Sequence, residues 1–315
     1  MAEARIGVVG ATGAVGTVTL SILADRGHRN VRAFASSRSA GRRLAFGDGE
    51  LVVEEATPEA LSGGDLNICL FSVGTSRSRE LVPHAVRGGA VAIDKSSAYR
   101  LEPGIPLVVP EVNGSRAFEH TGIIANPNCS TIPLTCALKP LHEAAGLARV
   151  RVATYQAASG AGAGAMERLR AKGTDELDLS MDWDFDGEEF DEEAKLREET
   201  RKIMELPSLP ISAACMRVPV LVGHAEAVWV ETLESLSAEQ ARSLLGVAPG
   251  VRVVDLPTPG QAAGRDDVLV GRIRADRAGE GGLSFLVVCD NLRKGAALNA
   301  LQIADLLPRS RAAAA

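Results

Sequence analysis

No uninterrupted apolar run in these 315 residues approaches the ~20 residues of a membrane-spanning helix, which excludes a transmembrane segment. Positive charge is in deficit: the formal net charge is -6, so the chain offers no basic surface for nucleic acid. Aromatic residues are scarce, at 3%. The five cysteines (69, 129, 136, 215 and 289) have neither metal-ligand spacing nor the pattern of a disulfide framework. Met1-Ala2-Glu3-Ala4-Arg5-Ile6 runs straight into a strand, so no signal peptide is expected. These absences leave a reduced, cytoplasmic, soluble protein of normal hydrophobic content, long enough for two domains with full cores.

The start of the chain carries a strong pattern. Arg5 to Val9 reads as a buried strand, Gly10-Ala11-Thr12-Gly13-Ala14-Val15-Gly16 as a turn, and Thr17 to Ala24 as a helix. In that context Gly10 permits the tight turn, Gly13 lets the backbone approach a pyrophosphate, and Gly16 lets helix and strand pack closely. The phosphates would sit on free N–H groups at the helix N-terminus. The second strand, Val31 to Ala35, ends in Ser36-Ser37-Arg38-Ser39 and not in the acidic residue that bonds a ribose hydroxyl. A guanidinium and hydroxyls suit a 2′-phosphate, so the cofactor read here is NADP. Further strands at 51–53, 66–71 and 90–94 alternate with helical patterns, as in a doubly wound parallel sheet. Arg100, on the loop leaving the last of these strands, suits an anionic substrate.

A strand at 122–125 leads into Asn126-Pro127-Asn128-Cys129-Ser130-Thr131, followed by a helix from Thr131 to Leu141. Cys129 therefore lies beside the positive end of a helix dipole, which lowers a thiol pKa and favours the nucleophilic thiolate. A packing role is the alternative, and it suits the other four cysteines, which sit in apolar strands or on an apolar helix. Val150 to Ala158 alternates in polarity, so one face of that strand meets solvent or an interface. It ends beside Gln156 and a stretch of small residues, Ser159 to Ala165, read as a loop that a cofactor can approach closely. Residues 182–193 hold eight carboxylates and no histidine, which points to a solvated loop and not a metal site. Asp191 is expected to cap a helix from Glu192 to Met204, with Glu192 and Lys195 on one face as a surface pair or a substrate-binding pair. Arg217 and His224 would face opposite ways on one unbroken strand, but Pro219 and Gly223 interrupt it and allow both to reach one site. Of the five histidines, His224 has the surroundings that best suit a catalytic base.

With these residues in place the sequence resembles aspartate-β-semialdehyde dehydrogenases over nearly its whole length. The resemblance rests on GATGAVG (10–16), SSRSAG (36–41), DKSSAYR (94–100), VVPEVN (108–113), NPNCST (126–131), TYQAASGAGA (154–163), RVPVLVGHAEAV (217–228) and DNLRKGAALNALQIA (290–304). It implies an α/β fold: an NADP-binding Rossmann-type domain over 1–128, completed by a C-terminal helix at 295–308. A catalytic and dimerisation domain of α+β type with a mixed sheet would cover 129–294. The implied reaction is NADPH-dependent reduction of aspartyl phosphate to aspartate semialdehyde, on the route to lysine, threonine and methionine. A homodimer is implied too, with the small-molecule substrate and phosphate as the other partners.

The resemblance implies that Cys129 forms an acyl-thioester, His224 is the general acid/base and Gln156 orients the acyl group. Arg217 would bind the substrate carboxylate, Arg100 and Lys195 phosphate, and Glu192 or Glu193 the substrate amino group, with Asn128 beside them. Gly10, Thr12, Gly13, Ala14, Val15, Gly16, Arg38, Ser39, Ser159, Gly160 and Asn291 would hold NADP. Two departures stand out. Lys95 replaces the family's usual asparagine after Asp94. An acidic stretch from Leu177 to Phe190 replaces the usual Pro-Phe-Asn-x-Ile-Pro-His region, which bears on local loop geometry and the subunit interface. An N-acyl-glutamyl-phosphate reductase is the sister alternative, although its usual Gly-Cys-Tyr-Pro-Thr turn differs from Asn128-Cys129-Ser130. A non-catalytic NADP-binding relative is the third reading.

Overall fold

Strand Ile6–Val9 (β1) is buried at every position, which is what a parallel strand covered on both faces requires. It pairs in parallel with Val31–Ala35 (β2) and, on its other side, with Ile68–Phe71 (β5). The computed structural model describes residues 4–172, 183–278 and 282–307. Within them the chain forms two compact units, Met1–Pro127 with Ala296–Ala315, and Asn128–Gly295.

The first unit holds a seven-stranded sheet in the order β3-β4-β2-β1-β5-β6-β7. Here β3 is Arg43–Phe46, β4 Gly49–Glu55, β6 Val91–Asp94 and β7 Ile123–Ala125. All neighbours are parallel except β3, which forms an antiparallel hairpin with β4 at the edge. Helices α1 (Ala14–Asp25), α2 (Pro58–Ser62), α3 (Thr75–Arg87) and α4 (Pro110–Asn113) supply the crossovers. The C-terminal helix, Leu298–Leu306, buries Leu298, Leu301 and Ile303 in the same core as Val8, Leu70 and Ile93. Its Asn299 donates to the carbonyl of Val108 and to Asn126 Oδ1, which fixes the turn after β7. The expected unbroken helix from Gly295 is instead a π-turn over Arg293–Ala297 that leads into this helix.

The second unit holds a six-stranded mixed sheet in the order β11-β12-β13-β10-β8-β9. Its strands are β8 Leu147–Ala157, β9 Ile211–Val218, β10 His224–Thr232, β11 Val251–Val253, β12 Val268–Ala275 and β13 Gly282–Cys289. Val150, Val152, Thr154 and Gln156 on β8 are buried, while Arg149, Arg151 and Tyr155 between them are exposed. One face is thus covered, by α5 (Thr131–Ala145) and by the later helix Asp191–Met204, and the other is open. Ser159 to Ala165 is not the plain loop expected. It forms a 3₁₀ turn over Ala158–Ala161 and opens α6 (Ala163–Lys172).

Helix α7 is Asp191–Met204, and α8 (Ala238–Gly246) and α9 (Pro259–Ala262) complete the unit. Asp191 is not the cap of α7. Phe190 holds that position, and its N–H donates to the Glu193 carboxylate at 3.0 Å, while Asp191 lies within the helix and pairs with Lys195. Three acidic residues in the first turn and Arg201 and Lys202 in the last complement the helix dipole. The acidic stretch is exposed from Asp184 to Glu188, as a solvated loop would be, but Glu192 at its end is buried. Its part from Leu177 to Asp182, and the Ala312–Ala315 tail expected to lack order, lie outside the described residues. Among the described residues no helix is long and apolar enough to cross a membrane.

Candidate active site

Cys129 lies just before Ser130, the residue that precedes α5, so its sulfur is at the end of a helix whose first N–H groups lack side-chain caps. Asn128 shapes this turn by accepting the Ser130 N–H at 2.8 Å. The Cys129 Sγ is 3.2 Å from His224 Nε2. On the other side of the ring, Ala157 N–H donates to Nδ1 at 3.0 Å. That hydrogen bond assigns the ring proton to Nε2, facing the sulfur. Burial pushes the His224 pKa down to about 3, with the positive charge of Arg217 as the second cause and a backbone hydrogen bond at Gly223 opposing both. His224 is therefore neutral in the resting site.

Two glycines keep the space around this pair clear. A Cβ at Gly160 would lie 2.6 Å from an Arg217 guanidinium nitrogen and 3.2 Å from His224 Nε2. One at Gly295 would press on Cys129 Cβ at 3.2 Å. Arg217 and His224 thus flank one point, because β9 ends at Val218 and β10 starts at His224. Gly223, with φ +102°, makes the bend between them, and its N–H is held by Asn291 Oδ1 at 2.9 Å. Asn291 Nδ2 in turn donates to Ser159 Oγ at 2.9 Å. Ser159, Gly160 and Asn291 therefore build the surroundings of His224.

Gln156 and Arg217 are register partners across β8 and β9. Arg217 donates to the Ala157 carbonyl at 3.2 Å and approaches Gln156 Oε1 at 3.5 Å. Gln156 Nε2 donates to Glu192 Oε1 at 3.1 Å, and Asn128 Nδ2 donates to the same oxygen at 2.8 Å. Glu192 is the buried hub of this group, and Lys195 Nζ is 3.7 Å from its other oxygen and 2.6 Å from Asp191. Cys129, Asn128, Gln156, Glu192, Lys195, Arg217 and His224 are thus linked in one network within the second unit. Glu193 points elsewhere, since its carboxylate accepts the backbone N–H groups of Phe190 and Cys215.

In the first unit, Gly10 has φ +88°, and a Cβ there would collide with the Ser72 carbonyl oxygen. A Cβ at Gly16 would collide with the Gly10 carbonyl oxygen and lie 2.8 Å from Ala11 Cα. Gly13 begins α1 without a side-chain cap, so Ala14, Val15 and Gly16 present backbone N–H groups. Arg38 is exposed on a short turn after β2, beside Ser39, with no carboxylate following the strand. Arg100 is buried and donates to the carbonyls of Asn126 at 3.1 Å and Lys95 at 2.6 Å. Lys95 Nζ donates to Ser72 Oγ at 2.8 Å, and burial lowers its pKa to about 7, against the pull of Asp94.

Residues 5–120 match the family described as semialdehyde dehydrogenase, NAD binding domain, and residues 138–183 and 181–294 the one described as semialdehyde dehydrogenase, dimerisation domain. The aspartate-semialdehyde dehydrogenase of Aquifex aeolicus is 45% identical over 332 residues, covering 96% of this chain and 97% of the relative. That of Bacillus subtilis is 42% identical over 340 residues, 97% of each. Among solved structures, aspartate semialdehyde dehydrogenase II of Vibrio cholerae complexed with ASA superposes with a TM-score of 0.93 at 38% identity, over 99% of this chain and 100% of that one. The Candida albicans enzyme with NADP gives 0.78 at 27% identity, over 98% and 99%. The chain belongs to the aspartate-semialdehyde dehydrogenase family.

As a member of that family the chain is an oxidoreductase whose first unit carries the matched NAD binding domain on a Rossmann-type sheet. Its first unit fits the cofactor: the Gly10 and Gly16 cradle is one that any Cβ would fill, and the open α1 N-terminus suits a pyrophosphate. Three residues that no motif of the sequence marks are brought out by the structure. Glu199, buried on α7, accepts the Asn128 N–H at 2.7 Å, and its spacing of seven from Glu192 was the available signal. Glu226 lies two residues after His224 on the same face of β10, with neither carboxylate oxygen hydrogen-bonded among the described residues, and its burial raises its pKa. Trp183 lies with its ring 4.6 Å from the Arg217 guanidinium carbon, and no local pattern signals it.

Proposed function

We propose that this chain reduces L-aspartyl-4-phosphate with NADPH to L-aspartate-4-semialdehyde and phosphate through an acyl-thioester on Cys129. The observation that carries the assignment of residues is the 3.2 Å contact between Cys129 Sγ and a neutral His224 whose proton faces the sulfur. That hydrogen bond and the helix end stabilise the thiolate. The thiolate attacks the acyl carbon of aspartyl phosphate, the C–S bond forms, and the C–O bond to phosphate breaks. The glycine turn at 10–16 would hold NADPH, with Arg38 and Ser39 available to its 2′-phosphate, and the cofactor bound there would supply a hydride. As the acyl oxygen gains negative charge, Nε2–H of His224 supports it, and the C–S bond breaks to give aldehyde and thiolate.

Gln156 orients the acyl group, tied to Glu192 and Arg217 on either side. Arg217 takes the substrate α-carboxylate, and Glu192, with its buried carboxylate beside Asn128, the amino group. Arg100 and Lys195 bind phosphate. Lys195 is paired with Asp191 and Glu192, so phosphate competes with these carboxylates for it.

The protein works as a homodimer in the cytoplasm. Support comes from the match to a dimerisation domain and from the open sheet face, where Tyr155 and Met216 are 41% and 52% exposed and where Arg151, Ala153, Ser212, Ala214 and Trp229 line a groove. Five free cysteines suit a reducing compartment. The test is the reverse reaction: aspartate semialdehyde should reduce NADP beyond one equivalent per enzyme only when phosphate is present, and Cys129→Ala should abolish it. A rate unaffected by Cys129→Ala would refute the thioester route. Equal turnover of N-acetyl-glutamate semialdehyde would favour the sister reading.

A further inference from the structure

Gly10, Ser72 and Lys95 are each the first residue past the carboxyl end of a strand, namely β1, β5 and β6. These strands are parallel neighbours, so the three residues form a row along one edge of the first sheet. Ligands of an open α/β sheet bind outside that edge. Backbone hydrogen bonds fix the row: Ser72 N–H donates to the Val9 carbonyl at 2.8 Å, and Lys95 N–H to that of Phe71 at 3.1 Å. The Lys95 carbonyl accepts Arg100 at 2.6 Å, so its main chain is held on both sides. From that base the side chain leans along the row, with Nζ 2.8 Å from Ser72 Oγ, and Ser72 abuts Gly10.

Among the described residues no carboxylate forms an ion pair with Lys95. Lys139 and Lys195, by contrast, each pair with a carboxylate on their own helix. Asp94, next in sequence, is turned to other donors: its Oδ1 accepts Ser78 Oγ at 2.6 Å and its Oδ2 accepts Ser96 Oγ at 2.5 Å. Of the three N–H donors of an ammonium, Ser72 takes one. Burial works against the charge as well. Such an arrangement costs stability until an anion completes it. The neighbouring turn from Gly10 to Gly16 has the opposite character, since it offers backbone N–H groups and carries no charged side chain. A phosphate held there brings negative charge that the turn does not neutralise, and Lys95 supplies positive charge on the same edge.

We propose that Lys95 binds a phosphate oxyanion at this edge, either the cofactor pyrophosphate on the glycine turn or the phosphate that the reaction transfers. The test is fluorescence titration with NADP and with NAD, together with KM for phosphate in the reverse reaction, for Lys95→Met and Lys95→Gln. The position of Nζ against Ser72 and Gly10 sets the expected result. Both variants should raise Kd for NADP and for NAD by the same factor, about tenfold, with Cys129 alkylated by iodoacetamide at the wild-type rate. The equal factor separates Lys95 from Arg38, whose loss weakens NADP alone. A tenfold rise in KM for phosphate with both Kd values unchanged would support the proposal with the transferred phosphate as the source. Wild-type values throughout in Lys95→Met would overturn it. So would full rescue by Lys95→Gln, which keeps a hydrogen-bond donor without the charge. The phosphate measurement rests on the reaction proposed above, whereas the titrations need only that the chain binds its cofactor. If wild type shows no phosphate-dependent turnover, that reaction falls, and the titrations alone decide the role of Lys95.

Discussion

The two units solve different binding problems by opposite means. Around Cys129 the second unit uses side chains: Asn128, Gln156, Glu192, Arg217 and His224 are buried and hold one another through hydrogen bonds. At the glycine turn the first unit uses the lack of side chains, with Gly10 and Gly16 in positions where a Cβ would strike a carbonyl and Arg38 exposed beyond them. Bond-making requires reacting groups fixed before substrate arrives, and the surrounding hydrogen bonds do that. Holding a pyrophosphate requires backbone N–H groups and room, which side chains would remove. Damage to the first kind of site should appear in kcat, and damage to the second in cofactor affinity.

The sharpest break of this contrast is at His224. His224→Asn should lower kcat by about 10²–10³-fold while NADP affinity, measured by fluorescence titration, is kept. Loss of NADP binding instead would make His224 a structural residue. Gly16→Ala should do the reverse. Its methyl meets the Gly10 carbonyl, so NADP affinity should fall by about 10²-fold, while the rate of Cys129 alkylation by iodoacetamide stays near that of wild type. A fall in both would show that the two regions are not separable. Arg38→Ala should weaken NADP about tenfold and NAD hardly at all, because only the 2′-phosphate is lost to it.

Two titratable groups whose pKa values burial shifts extend the comparison at a smaller scale. Lys95 in the first unit has its pKa lowered from 10.5 to about 7, so folding bears a cost wherever the lysine is charged in the unfolded chain. That cost is full below pH 7 and fades as pH rises from 7 to 10.5. Glu226 in the second unit has its pKa raised by burial, so its cost is absent below about pH 4.5 and grows above it. Lys95→Met should therefore raise Tm by a few degrees at pH 6 and by less at pH 10, and Glu226→Gln by more at pH 9 than at pH 5. Parallel pH profiles for the two variants would contradict the assignment of charge states.

Uninterrupted apolar strands were the most legible part of the fold in sequence. The apolar pattern marks Val31–Ala35 to the residue and overruns β1 by one residue, at Arg5. Burial on both faces leaves such strands no polar positions to confuse the pattern. The hairpin strand Arg43–Phe46 shows no such apolar run, because it is four residues long and half exposed, and Gly47 at φ +57° sets its turn. In the site, Cys129, Gln156, Arg217 and His224 lie next to breaks in regular structure that the sequence displays. The partners that fix them come from α7, and here local patterns mislead. Asp191 looks like a cap, yet the Glu193 carboxylate takes the Phe190 N–H that defines the helix start. Glu192 and Glu193 are indistinguishable in sequence, and only the direction of each side chain separates the buried hub from the capping residue. The contact of Trp183 with Arg217 spans thirty-four positions and follows from no periodicity.

The most direct test of a thioester formed within the network of the second unit is mass spectrometry of enzyme quenched after mixing with aspartate semialdehyde and NADP without phosphate. The account predicts one aspartyl group on the peptide containing Cys129, formed with a matching burst of NADPH and released when phosphate is added. A burst of NADPH with Cys129 unmodified, or with the aspartyl group on another residue, would contradict it.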